Sequence, residues 1–209
     1  MAADSRTFFD DATGTLILCP FKCGFATFNQ HLAQPGRTRN IDLNAGEAAQ
    51  ADRVIFMVRE PVSRFLSFYK NWVVTKNLTD SKPPLKFMRK WLEPAFFDRL
   101  DGLDKQDRSD PKLILEFIRN IGPAILNEGH MQPQWMLLYR AGMIGRDDIE
   151  FVDYRNGLDV IQNQFAISAE IRNVTGSQSL EINSQTQEAL DLLYWRDRAL
   201  TRQAAACFP

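Results

Sequence analysis

The stretch that most constrains the fold runs from Arg53 to Trp72, RVIFMVREPVSRFLSFYKNW. It opens with a compact apolar run, Val54-Ile55-Phe56-Met57-Val58. A run this rich in β-branched and aromatic residues reads as a strand buried on both faces. Arg59-Glu60-Pro61 breaks it. Proline suits the first position of a helix, where no N–H is needed. The helix it opens carries Phe65, Leu66, Phe68 and Tyr69 at helical spacing, with Ser63, Arg64 and Ser67 forming a polar set. A guanidinium therefore stands where a buried strand ends, and a hydroxyl follows two turns into the next helix. In open α/β sheets that edge is where ligands bind. An arginine, a serine and a helix N-terminus together suit an anion.

A second strand end has the same character. Thr15-Leu16-Ile17-Leu18-Cys19 is a short apolar run stopped by Pro20. We read it as the first central strand, with residues 1–13 a frayed or edge segment ended by Gly14. Phe21-Lys22-Cys23-Gly24 is then a tight loop, and Phe25 to Ala33 form a helix. Free amides at a helix start, a glycine and a lysine are the parts of a phosphate cradle. The loop is not a Walker A sequence, because the lysine precedes the glycine and GxxxxGK[ST] is missing. Taken alone it reads equally well as an ordinary turn with an exposed lysine.

Farther along, Asn40–Leu43 is expected to be a short strand and Ala45–Ala51 a short helix. Thr75–Pro84 reads as a polar loop. Leu85–Leu100 is helical with an interruption at Pro94, and 102–111 is a charged linker. Lys112–Ile121 is an amphipathic helix stopped by Gly122-Pro123. Ile149–Tyr154 is the last strand, followed by helices over Gly157–Ala166 and Ser184–Ala206. An α/β chain is expected: a parallel sheet of four to five strands with helices on both faces and a helical C-terminal part. The 209 residues are taken as one domain, with a core over about 15–155 and a helical part over 156–209.

Charge enters because the net value of −1 offers no general attraction to nucleic acid or membrane, so any anion site is local. No apolar run reaches the roughly 18–20 residues a bilayer requires, and the first residues lack a signal-peptide pattern. Three cysteines form no even framework, and with two histidines they complete no zinc site. A cytoplasmic chain with reduced thiols is expected, a truncated luminal domain being the other possibility.

Taken together, the two cradles resemble the signatures of sulfotransferases that use 3′-phosphoadenosine 5′-phosphosulfate (PAPS). The likeness is greatest to the carbohydrate sulfotransferases of the chondroitin, dermatan and HNK-1 type. That family has a PKxGSTT-like loop, standing here as Phe21-Lys22-Cys23-Gly24-Phe25-Ala26-Thr27. Its RDPxxRxxSxY pattern stands here as Arg59-Glu60-Pro61-Val62-Ser63-Arg64-Phe65-Leu66-Ser67-Phe68-Tyr69. Its H-x-x-P-Q segment is similar to His130-Met131-Gln132-Pro133-Gln134. Phe25 and Ala26 stand where the family usually has hydroxyls.

The resemblance implies PAPS-dependent transfer of a sulfuryl group to a hydroxyl of a carbohydrate or other small acceptor, without a metal. Lys22 would neutralise the bridging oxygen and the leaving phosphate. Backbone amides of Cys23, Gly24, Phe25, Ala26 and Thr27 would hold the 5′-phosphate. Arg59 and Ser67 would hold the 3′-phosphate, although Ser67 reads equally as bonding back to its own helix. Arg64 reads as structural, paired with a neighbouring carboxylate or the helix surface. His130 is the preferred general base, with Glu47 and His31 as rivals. Two other functions stay open: a nucleotide-dependent kinase of related fold, and a non-catalytic descendant that binds the nucleotide or a glycan.

Overall fold

The computed structural model describes residues 7–24, 46, 48–155 and 180–207. The chain divides into two compact units. The first comprises Met1–Glu60, Pro133–Val174 and Arg196–Pro209, and the second Pro61–Gln132 and Thr175–Trp195. The division falls between Glu60 and Pro61, inside the stretch that the sequence presents as one strand-and-helix unit.

The first unit is built on a four-stranded sheet of Thr7–Asp10 (β1), Thr15–Leu18 (β2), Arg53–Val58 (β3) and Ile149–Asp153 (β4), in that spatial order. β2, β3 and β4 are parallel, with Leu18 opposite Phe56 and Val58 opposite Asp153. The segment read as frayed or edge supplies β1, which pairs antiparallel with β2 through Phe8 and Ile17. The sheet is thus mostly rather than wholly parallel. Its hairpin turn closes on Asp10, whose carboxylate accepts the Ala12 amide and the Thr13 hydroxyl.

Alternation along the strands explains the core. Leu16, Leu18, Val54, Phe56 and Val58 pack with Leu137, Leu138, Ala141, Met143 and Ala204. These partners lie on or beside the helices Trp135–Arg140 and Trp195–Cys207. The intervening Ile17, Ile55 and Met57 point to the opposite face and are also fully buried. Residues hidden on both faces account for the unbroken apolar runs of β2 and β3.

The second unit is helical. Pro61–Tyr69 (α1) runs into a π turn over Lys70–Val74, closed by the Thr75 amide on the Lys70 carbonyl at 3.0 Å. Pro83–Trp91 (α2), Pro94–Gly102 (α3), Pro111–Ile121 (α4) and Ser184–Leu193 (α6) complete the unit, while Trp135–Arg140 (α5) and Trp195–Cys207 (α7) serve the first. Four helices of the second unit open on proline, whose fixed φ and missing N–H fit that position. Pro83-Pro84, read as loop, is accordingly the start of α2. Asp110 caps α4 by accepting the Lys112 amide at 2.7 Å. Phe65, Phe68, Tyr69, Met88, Ile114, Phe117, Leu190 and Tyr194 form the core.

The single helix expected over Ser184–Ala206 is two, parted at Tyr194. Tyr194 is fully buried and its hydroxyl donates to the Met131 carbonyl at 2.5 Å, so a tertiary bond holds the break. The helix and strand expected over Phe25–Ala33 and Asn40–Leu43, and the helix over Gly157–Ala166, lie outside the described residues. Of Ala45–Ala51, a short 3-10 turn at Ala48–Gln50 is seen.

Candidate functional site

Three loops of the first unit leave the carboxyl ends of the adjacent parallel strands β2, β3 and β4. The β2 loop turns at Pro20–Cys23, closed by the Cys23 amide on the Pro20 carbonyl at 3.1 Å. Lys22 occupies the third position of this turn with φ of 72°, the one non-glycine residue in the left-handed region among those described. That conformation is costly for a side chain carrying Cβ and normally falls to glycine or asparagine. Gly24 follows at φ 83°, with Cys23 between them at negative φ. Alternating signs of this kind shape concave backbone that suits anions. The Cys23 amide, however, is already bonded within the turn.

Arg59 leaves β3 beside this loop. Its Nη1 donates to the Lys22 carbonyl at 2.8 Å, and its guanidinium carbon lies 4.7 Å from the centre of the Tyr154 ring, just past β4. The two cationic residues proposed to grip one anion are therefore joined directly through the chain of the first. Tyr154 was not anticipated as a member of this group. Asp153, at the end of β4, is partly buried, which would raise its carboxyl. Bonds from Arg155 and the nearby charge of Arg59 outweigh that and hold it below the usual range.

Gln134 fixes the β3 exit. It is buried, accepts the Arg59 amide on Oε1 at 3.0 Å and donates Nε2 to the Arg59 carbonyl at 2.9 Å. The Cys23 thiol donates to the same Oε1 at 3.3 Å, so one side chain ties both loops. Asp197, fully buried on α7, accepts the Gln134 and Trp135 amides at 2.7 and 2.9 Å and thereby caps α5. Gln134 was visible only as a letter in the H-x-x-P-Q likeness, and Asp197 carried no local signal. Burial pushes the Cys19 thiol well above its ordinary value, with Cys23 adding to the effect, so Cys19 stays a thiol in the core.

In the second unit, Ser67 is half-buried on α1. Arg64 is fully buried. Nη1 donates to the His130 carbonyl at 3.1 Å, and Nη2 donates to the Met131 carbonyl at 3.2 Å and to that of Gln132. Three carbonyls of a tight turn thus accept from the two terminal nitrogens of this buried guanidinium. His130 is half-buried in this turn, its Nδ1 2.8 Å from Glu128 Oε1. Phe25, Ala26, Thr27, His31 and Glu47 lie outside the described residues. Among those described, no cluster of three or more histidine, cysteine or acidic residues could hold a metal ion, and no helix is long and apolar enough to cross a membrane. No protein-family model, no curated protein and no solved structure matches the chain.

Proposed function

We propose that this protein is a PAPS-dependent sulfotransferase of P-loop-like fold, acting on a hydroxyl of a carbohydrate or other small acceptor. The observation that carries the reading is the direct bond from Arg59 to the Lys22 carbonyl at the carboxyl ends of adjacent parallel strands. It makes neighbours of the two motifs on which the likeness rests. Sulfuryl transfer, like phosphoryl transfer, depends chiefly on positioning and on stabilising displaced charge. Lys22 offers its ammonium to the leaving phosphate. Arg59, stacked on Tyr154 and held by Gln134, pairs with the 3′-phosphate. The 5′-phosphate falls to amides after Cys23, since that of Cys23 serves its own turn.

Calorimetry with 3′-phosphoadenosine 5′-phosphate tests the reading. Binding is expected, weakened about 10- to 100-fold in Arg59→Ala, the worth of a charge-assisted pair. No binding, or binding indifferent to Arg59, overturns it. Preference for ATP with magnesium would favour the kinase reading instead. The engaged Cys23 amide favours a second reading, a descendant that binds the nucleotide without transferring sulfate. A radiolabelled transfer screen over glycans and simple alcohols separates the two.

A further inference from the structure

In the second unit, the helix α2 turns a row of cations outward. Lys82, Lys86 and Lys90 recur at every fourth residue and are exposed. They line one side over about 12 Å, from a rise of roughly 1.5 Å per residue. Arg89 is exposed beside them. Residues 82–92 hold these four cations and no acidic residue, in a chain whose 26 acidic residues outnumber its 25 lysines and arginines. Among the described residues, no carboxylate pairs with any of the three lysines. The opposite side of the helix packs into the core through Leu85, Met88 and, just past its end, Leu92. Arg89 holds the face in place, its Nη2 donating to the Leu78 carbonyl at 3.1 Å and its guanidinium carbon 5.7 Å from the centre of the Phe97 ring.

The row works against the helix that carries it. Like charges four residues apart on a helix repel. Lys82 is the N-cap, makes no side-chain cap bond, and sets its ammonium at the positive end of the helix dipole, with no acidic residue in the first turn. Only Arg89 and Lys90, in the last turn, suit that dipole. An anionic partner would offset both costs. Trp91 ends the row and is 45% exposed. The Lys90 ammonium lies over its ring at 5.1 Å, and Phe87 packs beside it with ring centres 6.1 Å apart. Lys90 thus takes the place a nucleobase would need to stack on that face of the indole. Tryptophan among lysines instead matches a bilayer interface, where the indole sits at headgroup level and lysine stems reach outward to charge. Three lysines to one arginine also suit a surface, because lysine acts as a point charge whereas arginine forks onto single phosphates. We infer that the outer face of α2 docks on an anionic membrane surface, with Lys82, Lys86 and Lys90 against the lipid headgroup charges and Trp91 among the headgroups. The contact is peripheral, since the apolar side of α2 stays in the core. It concerns the second unit alone and stands apart from sulfate transfer.

Flotation of the full-length protein tests this with two kinds of vesicle, phosphatidylcholine alone and phosphatidylcholine with about 30 mol % phosphatidylserine. Binding to the second and not to the first is expected. Salt at about 0.5 M should release it, because screening then acts within about 4 Å. Replacing the row by Lys82→Gln, Lys86→Gln and Lys90→Gln together should lower the partition about 100-fold, at about fivefold for each lysine. Lys105→Gln, Lys112→Gln and Arg119→Gln together remove the same charge from exposed positions of the same unit and should leave binding nearly unchanged. Binding to both vesicles alike, binding to neither, or a row variant equal to the parent overturns the proposal. An equal loss in the second triple variant overturns it too, since net charge rather than this face would then be responsible.

Removing three like charges from one side of a helix should leave the melting midpoint at or above that of the parent. Should the row variant fold poorly, the salt series on the parent decides, and binding that survives about 0.5 M salt overturns the proposal. Vesicles with brominated acyl chains read the place of the indole. Part of the tryptophan emission should be quenched in the parent and that part should be absent in Trp91→Phe, whereas quenching undiminished in Trp91→Phe overturns the docking pose. Heparin and an oligothymidylate are the rival polyanions. Either one, held through the same three lysines by a parent that ignores the vesicles, assigns the face to that polyanion and overturns the membrane.

Discussion

Lys22 holds a backbone conformation that its side chain resists, at a cost of roughly 1–2 kcal/mol. Strain of that kind persists where something else is gained, and here the gain would be an ammonium beside Arg59. Lys22→Asn separates the two effects, since asparagine tolerates positive φ. Thermal melting should show a midpoint equal to or above that of the parent. Calorimetry should show affinity for 3′-phosphoadenosine 5′-phosphate lowered at least about 10-fold. A midpoint that drops sharply would mean the lysine is structural. Gln134 presents the opposite case, a side chain whose loss should be costly without touching any anion. Gln134→Leu leaves the Arg59 amide and carbonyl without their partner and is expected to destabilise by about 2–3 kcal/mol in urea titration. Neither Gln134 nor Arg64 could be valued from the sequence. An arginine in a polar set reads as structural without its partners being named, and an amide reads as neutral. Their roles are set by backbone groups brought close by the tertiary fold: Arg59 for Gln134, and residues 130–132 for Arg64.

At the level of elements, the strands were legible because their signals are local. Thr15–Leu18 and Arg53–Val58 lie in apolar runs with Pro20 or Pro61 just beyond, and their ends place Lys22 and Arg59. The prolines also mark helix starts, as the Pro94 interruption between α2 and α3 shows. Elements created by tertiary bonds were not legible. The parting of α6 from α7 carries no glycine or proline, and the π turn over Lys70–Val74 has no mark in its residues. The β1–β2 hairpin supplies a prediction of its own. Gly14 has φ of 61°, and a Cβ there would lie 2.2 Å from Asp52 Oδ2, while its carbonyl accepts the Asp52 amide at 3.0 Å. Gly14→Ala should lose about 1–2 kcal/mol by chemical denaturation, most of it from the forced φ. A neutral result would show that the turn relaxes freely.

For the molecule as a whole, acid should weaken the first unit through the end of β4. Asp153 is held below its ordinary value of 3.8, so its contribution to stability is complete above that value and disappears as pH falls through the lower folded one. Asp153→Asn should therefore melt below the parent at about pH 7 and converge with it near about pH 2. Parallel curves at every pH would show that the charge does not matter. The two units are each assembled from separated stretches of chain, and the carboxylate that orients Gln134 belongs to Asp197. During synthesis every strand of the sheet, Lys22, Arg59 and Gln134 are made before Asp197. Until that residue is added, the nascent chain holds all the parts of the Arg59 clamp and lacks the group that keeps Gln134 in place, so the strand-end cluster is among the last features of the protein to mature.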